Sequence, residues 1–313
     1  MTYQHVPVMR DEAIAHLNCR PGKVYVDCTV GGAGHSRAIL ERILPGGMLI
    51  GIDQDADAIL SARQVLAPYA SNLRLFHDNY VHLPDILSKL NIEKVDGILA
   101  DLGLSFNQIE NSGRGFSFQK TEPLDMRMNA ASGMTAADIV NTETEDGLEE
   151  IFKTYGEERW ARQIARRIVA VRAGHRIQTT TDLAGIICAA MPKQAMRKRQ
   201  KHPATKVFMA LRIAVNKELE ALESFSAAAV NLLNPGGRIC FLSFHSLEDR
   251  IVKQRFRGLE GKCTCPPDFP ECICGHKRVV RLLTRKVVRP AQAEIDANPM
   301  ARSACLRAAE KVE

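Results

Sequence analysis

The stretch Val24-Tyr25-Val26-Asp27-Cys28-Thr29-Val30-Gly31-Gly32-Ala33-Gly34-His35, followed by Met48-Leu49-Ile50-Gly51-Ile52-Asp53, decides the fold class. A β-branched run ends in an aspartate, turns through three glycines and enters a helical pattern at His35–Leu44. A second apolar run then ends in Asp53, about 20 residues beyond the glycines, the order in which doubly wound sheets hold a nucleotide-like cofactor. Glycine permits close approach of backbone to ligand, and a carboxylate ending the second strand can accept hydrogen bonds from both ribose hydroxyls.

The spacing alone does not say which cofactor is held. G-x-G-x-x-G would put glycine where Arg37 stands, and Asp27 before the turn would repel a pyrophosphate. A zwitterionic, phosphate-free cofactor such as S-adenosylmethionine suits these residues better, because Asp27 could pair with an ammonium group. A glycine turn that binds nothing is the plain structural alternative.

Strand-like runs at Val24–Thr29, Met48–Asp53, Leu73–His77 and Val95–Asp101 alternate with helical patterns, which implies right-handed crossovers and a parallel sheet. After Asp101 the alternation stops. A loop-like stretch at Gly103–Arg127 precedes helical patterns, and strands resume with Arg238–Phe244 after a long helix, Ala204–Leu222. Val279–Val288 and Ala304–Ala309 supply a last pair. The expected architecture is α/β: residues 1–105 and 204–313 form the sheet domain, and 106–203 an inserted, basic helical domain.

The 313 residues are 45% hydrophobic and 25% charged, with a net charge of +6, which is the composition of a soluble globular chain with a sizeable core. No uncharged apolar run approaches about 18 residues, so no membrane span is expected. The polar Met1–Glu12 segment does not read as a signal peptide, and nine scattered cysteines suit a reducing cytoplasm. Arg159, Arg162, Arg166, Arg167, Arg172 and Arg176 fall in one helical stretch; Arg197, Lys198, Arg199 and Lys201 follow, with no acid from Lys193 to Lys206. A solvated helix face with a basic loop explains either run alone. Together, beside a cofactor domain, they point to nucleic acid.

Asp101 ends the fourth strand, so Asp27, Asp53 and Asp101 are expected on one rim. Leu242-Ser243-Phe244-His245-Ser246 adds a hydroxyl, an aromatic ring and an imidazole there, with Ser246 and Asp249 also fitting a helix cap. Without a G-x-S-x-G elbow, a Ser–His hydrolase is disfavoured. Cys263, Cys265, Cys272 and Cys274, with His276, form two C-x-C pairs where zinc sites prefer C-x₂₋₄-C. Metal ligands, free thiols in a surface hairpin and a disulfide all stay open, and no metal is assigned.

These residues resemble the bacterial 16S ribosomal RNA cytosine-N4 methyltransferases, the RsmH or MraW family. The resemblance rests on the glycine turn to His35, Ile52-Asp53, Asp101-Leu102-Gly103, Arg114 to Phe118, Pro123 to Met128, His202 to Thr205, Ala210 to Asn216, Ser243 to Arg250 and Asn298 to Ser303. It implies a class I S-adenosylmethionine methyltransferase sheet and methylation of one cytidine amine in the decoding region of small-subunit ribosomal RNA. By motif, Ala33, Gly34, His35, Asp53, Tyr80, Asp101 and Gln108 would hold the cofactor. Asp101, or a nearby backbone carbonyl, is the expected acceptor at the amine, assisted by Ser243 or His245, and Arg166, Arg167, Arg197, Lys198, Arg199 and Lys201 would meet RNA. Tyr80, Phe106 and Phe244 are candidates to stack on the extruded base. A nicotinamide-dependent oxidoreductase and a non-catalytic RNA-binding assembly protein are the competing readings. Oligomeric state is not legible.

Overall fold

The computed structural model describes residues 7–197, 199, 201–261 and 277–312. Lys198 and the four hairpin cysteines, Cys263, Cys265, Cys272 and Cys274, lie outside them. The chain divides into two compact units, Met1–Gly103 with Glu220–Glu313, and Leu104–Leu219.

The first unit holds a seven-stranded sheet in the order β3-β2-β1-β4-β5-β7-β6. Its strands are β1 (Val24–Asp27), β2 (Met48–Asp53), β3 (Leu73–His77), β4 (Val95–Asp101), β5 (Leu233–Ser243), β6 (Val280–Leu282) and β7 (Cys305–Lys311). The first five run parallel; β7 runs antiparallel to β5, and β6 antiparallel to β7. The sheet is doubly wound, and its side chains sort by parity. Tyr25, Leu49, Leu99, Cys240 and Leu242 pack with helices α1 (Arg10–Leu17) and α2 (Gly34–Ile43). Val26, Ile50, Ile98, Ile239 and Phe241 pack on the other face with Leu222, Phe225, Val252 and Phe256. Successive side chains of a strand point to opposite faces, so a near-continuous apolar strand needs cover on both.

The second unit has its own core, in which Phe152, Ile164, Ile168, Leu183, Val207, Phe208 and Leu211 are buried together. The helix Thr205–Asn216 belongs here, so the expected boundary at residue 204 moves to 220. An amphipathic repeat shows that a helix has a buried face without saying which core receives it. The expected continuous helix Ala204–Leu222 is also broken, since Lys217 takes a left-handed backbone (φ 51°) before the next helix, Glu218–Ala228. Arg212 spans the break with two 2.8 Å bonds to the Glu218 carboxylate. Two of the motif blocks meet in this unit: the Asn216 side chain accepts from the Met128 amide (2.7 Å) and donates to the Met126 carbonyl (2.8 Å).

Candidate active site at the carboxyl ends of the strands

The turn after β1 is stitched to both neighbouring strands. Cys28 N–H donates to the Leu99 carbonyl (2.8 Å), and Val30 N–H to that of Ile52 (3.1 Å). Gly31 and Ala33 are left-handed (φ 48° and 63°), and α2 starts at Gly34. A Cβ on Gly34 would stand 2.7 Å from Pro7 Cγ, so the chain's own proline occupies the space a side chain would need.

Asp27, Asp53 and Asp101 end three adjacent parallel strands, as expected, but their environments differ. Asp27 is fully buried and already engaged: Ser36 Oγ donates to Oδ2 (2.6 Å) and the Thr29 amide to Oδ1 (3.2 Å). The expectation that Asp27 could receive an ammonium group is corrected, since it clamps the turn from beneath. Burial raises its pKa, opposed by the Ser36 bond. Asp53 accepts from Gly31 N–H (2.8 Å) and Asp55 N–H (2.9 Å), one on each oxygen, and burial lifts it to about 6. Each oxygen keeps a further lone pair.

Asp101 stands between these and β5. Its amide donates to Thr29 Oγ1 (2.7 Å), and its Oδ1 accepts from Gly103 N–H (3.2 Å). Its side chain keeps 21% of its exposure, and its Oδ2 lies 3.6 Å from His35 Nδ1. Burial pushes Asp101 up to about 7, the Gly103 amide opposes this, and the Glu248 carboxylate adds to it. The His35 ring is buried, and its Nε2 lies 3.1 Å from the Val8 carbonyl. A carbonyl only accepts, so Nε2 carries the hydrogen and Nδ1 turns a lone pair toward Asp101. Desolvation lowers the imidazole pKa, with Asp27 opposing, so the ring stays neutral.

At β5 the structure revises the roles expected for Ser243 and His245. Ser243 is buried and its hydroxyl donates to the Cys305 carbonyl of β7 (3.4 Å). His245, not Ser246, caps the helix Ser246–Glu260: its Nδ1 accepts from the Glu248 amide (3.4 Å), and its Nε2 lies 3.1 Å from Glu248 Oε1. Glu248 Oε2 in turn accepts from Phe244 N–H (2.7 Å). Phe244 fills the space that a Cβ on Gly103 would enter, 2.7 Å from its ring. Tyr80 packs on Phe225 with ring centroids 4.9 Å apart, as part of the core.

Gln108 lies in the helical unit and completes a capping box. Its side chain accepts from Ser105 N–H (2.9 Å), while Ser105 Oγ accepts from its amide (3.2 Å). Phe106 opens the short helix that this box caps. Among the expected RNA contacts, Arg166 and Arg167 are exposed on the helix Ala161–Arg172, and Arg197 and Lys201 are exposed too. None of these four has an ion-pair partner among the described residues. Arg199 differs: it is paired at 2.5 Å with Glu158, whose side chain is fully buried, so its charge is spent inside the unit. Ser36, Thr29 and Val8 are the residues that sequence reasoning missed. Ser36 had one signal, a hydroxyl on a helix face whose neighbours one turn on, Ile39 and Leu40, are both apolar.

The family model described as "MraW methylase family" matches residues 2–312. A relative from Desulforapulum autotrophicum, 54% identical over 312 residues and covering all of both chains, is named ribosomal RNA small subunit methyltransferase H. Relatives bearing the same name from Desulfosudis oleivorans and Clostridioides difficile are 52% and 46% identical over 312 residues, again across all of both chains.

Proposed function

Given that this chain belongs to the MraW methylase family, we propose that it uses S-adenosylmethionine to methylate the N4 amine of a cytidine in the decoding region of 16S ribosomal RNA. Its substrate is the assembled small subunit, met in the cytoplasm. No described helix is long and apolar enough to cross a membrane. The observation that carries the reading is the pair of strand-end acids Asp53 and Asp101 flanking the glycine turn, set in a chain whose full-length relatives carry the small-subunit methyltransferase name.

The donor set fits the cofactor. The carboxyl groups ending β2 and β4 disfavour a pyrophosphate and favour a cation, which speaks against a nicotinamide dinucleotide. Asp53 has lone pairs for two ribose hydroxyls, the left-handed turn at Ala33 with Gly34 and His35 lines the approach, and Tyr80 backs the adenine side. Asp101 offers the exposed carboxyl oxygen. When bound, S-adenosylmethionine supplies a sulfonium methyl group, the electrophile the reaction needs.

The protein's own task is alignment and charge management. A cytosine amine is a weak nucleophile because its lone pair is delocalised into the ring, so an acceptor for its hydrogen matters. Ionised Asp101 is that acceptor. The neutral His35 ring, anchored through Val8, stands beside the carboxyl and offers Nδ1 as a second basic site. Ser243 and His245 act as positioning residues, tying β5 to β7 and fixing the start of the helix behind Asp101. Arg166, Arg167, Arg197 and Lys201 meet RNA phosphates.

The test is methyl transfer from labelled S-adenosylmethionine to small subunits and to naked ribosomal RNA, followed by nucleoside digestion. The expected product is N4-methylcytidine, formed on the subunit. Absence of transfer, or label on another base, defeats the reading; calorimetry with NAD in place of S-adenosylmethionine separates the oxidoreductase alternative.

A further inference from the structure

A second cationic surface lies in the sheet unit, apart from the arginines of the helical unit. The segment from Lys277 to Ala293 contains no acid, and it carries Arg281, Arg285, Lys286 and Arg289, all exposed. Its course is set by hydrogen bonds. Arg281 is in register with Glu310 near the end of β7, Thr284 Oγ1 accepts from the Ala308 amide (3.0 Å), and Val288 exchanges bonds of 3.1 and 3.0 Å with Leu306. Leu306 adjoins Cys305, the partner of Ser243 at the carboxyl rim. The segment therefore runs along the outer border of the sheet, from the amino ends of the parallel strands to their carboxyl ends. At about 3.3 Å per residue this is on the order of 25 Å, room for several successive phosphates.

The charges along it are largely uncompensated. Glu310 is the acid facing Arg281 (2.6 Å), and it also holds Arg238 (2.9 Å), so one carboxylate serves two guanidinium groups. Arg285, Lys286 and Arg289 have no ion-pair partner among the described residues. At the amino end the segment opens on a cleft of about 370 Å³ that Arg281 shares with Arg20 and Lys23. Lys23 stands 3.5 Å from Asp96, which already accepts from Val24 N–H and from the Asn234 amide group. Arg20 has no acidic partner among the described residues. A compact anion would need one such point; a row of free cations with guanidinium forks suits a phosphodiester backbone.

We propose that this border, Arg281 to Arg289 with Arg20 and Lys23 at its start, is a second phosphate-contacting surface for the ribosomal RNA. The proposal rests on the functional reading above, that the substrate is RNA of the small subunit. It gives each unit its own set of RNA-contacting cations, one on the helical unit and another on the sheet border.

The test compares wild type with R285Q/K286Q/R289Q and with R20Q/K23Q for small-subunit binding across a potassium chloride series, alongside calorimetry with S-adenosylmethionine. All five positions are exposed, and none is assigned to the cofactor. For the triple variant the expected result is about tenfold or more weaker subunit binding, a log–log salt slope shallower by about two to three, and unchanged cofactor affinity. R20Q/K23Q should lose about one to two in slope. The charge-keeping R285K/R289K should keep the wild-type salt slope with at most a few-fold loss of affinity, and a slope as shallow as that of the triple variant would argue against phosphate contact. Undiminished affinity and slope in R285Q/K286Q/R289Q, with wild type binding and methylating normally, overturns this surface alone. Wild type that neither binds nor methylates subunits overturns the functional reading itself.

Discussion

His35 Nδ1 faces Asp101 Oδ2 at 3.6 Å while the other ring nitrogen is held by the Val8 carbonyl at 3.1 Å. The backbone thereby fixes the tautomer, and a neutral imidazole is turned toward a carboxyl group raised to about 7. A carboxyl group that titrates near neutrality suits a site that must accept hydrogen near neutral pH.

The first prediction concerns turnover. Asp101 is active when ionised, so kcat/KM for S-adenosylmethionine, which reports the free enzyme, should rise with pH through about 7 and flatten above it. Asp101→Asn should lower kcat by about a hundredfold or more and abolish that limb, as read by labelled methyl transfer from pH 5.5 to 9. A variant that retains both rate and limb removes Asp101 from the chemistry.

Stability should carry the opposite sign. The folded values of Asp101 (about 7) and Asp53 (about 6) lie above the ordinary carboxylate value of about 3.9, so the folded state binds more protons between these limits. Their stabilising contribution is complete below about pH 4 and is lost as pH rises through 6 to 7. Relative to wild type, Asp101→Asn without cofactor should therefore gain stability as pH rises from 5 to 8, by about 2 kcal/mol after allowance for its partial exposure. Urea unfolding at the two pH values measures the difference.

Ser36→Ala deletes the hydroxyl that donates to the fully buried Asp27 carboxylate at 2.6 Å. The loss should be about 2 kcal/mol, the cost of an orphaned buried charge-assisted bond. A shift of a few tenths in urea unfolding would mean that Asp27 is protonated or solvated instead.

Gly34→Ala places a Cβ 2.7 Å from Pro7 Cγ, in a turn packed on both sides. Pro7 and Val8 must move, which disturbs the Val8–His35 bond. The expected result is about 1–3 kcal/mol of destabilisation together with weaker S-adenosylmethionine binding, measured by calorimetry. Unchanged affinity would show that the Pro7 contact does not support the turn.

The two kinds of arginine in the helical unit should separate cleanly. Arg199→Gln strands the buried Glu158 carboxylate and should cost about 3–5 kcal/mol in unfolding experiments. Arg166→Gln with Arg167→Gln should leave stability unchanged and reduce the salt slope of subunit binding by about two. Equal effects of both on stability would contradict the pairing of Arg199.

Much of this was legible before any coordinate. The run Val24–Asp53 dictated a strand, a glycine turn, a helix and a second strand, because hydrophobic period and glycine position are local properties. Asp53 and Asp101 followed as strand-end acids for the same reason. The boundary near residue 204 did not, because an apolar helix face is blind to which core it will enter. Nor could the chain order distinguish Arg199 from Arg197, since only the fold brings Glu158 to one of them.

What the sequence determined by itself was the winding of the sheet, the cationic character of the helical stretch and the acids at the strand ends. Tertiary structure alone decided which acid is spent on Ser36 and Thr29, which one faces an imidazole, and which cations keep their charge for a partner. The reason is physical: periodicity and turn chemistry act between near neighbours, whereas desolvation and pairing depend on groups that may be dozens or hundreds of residues distant along the chain.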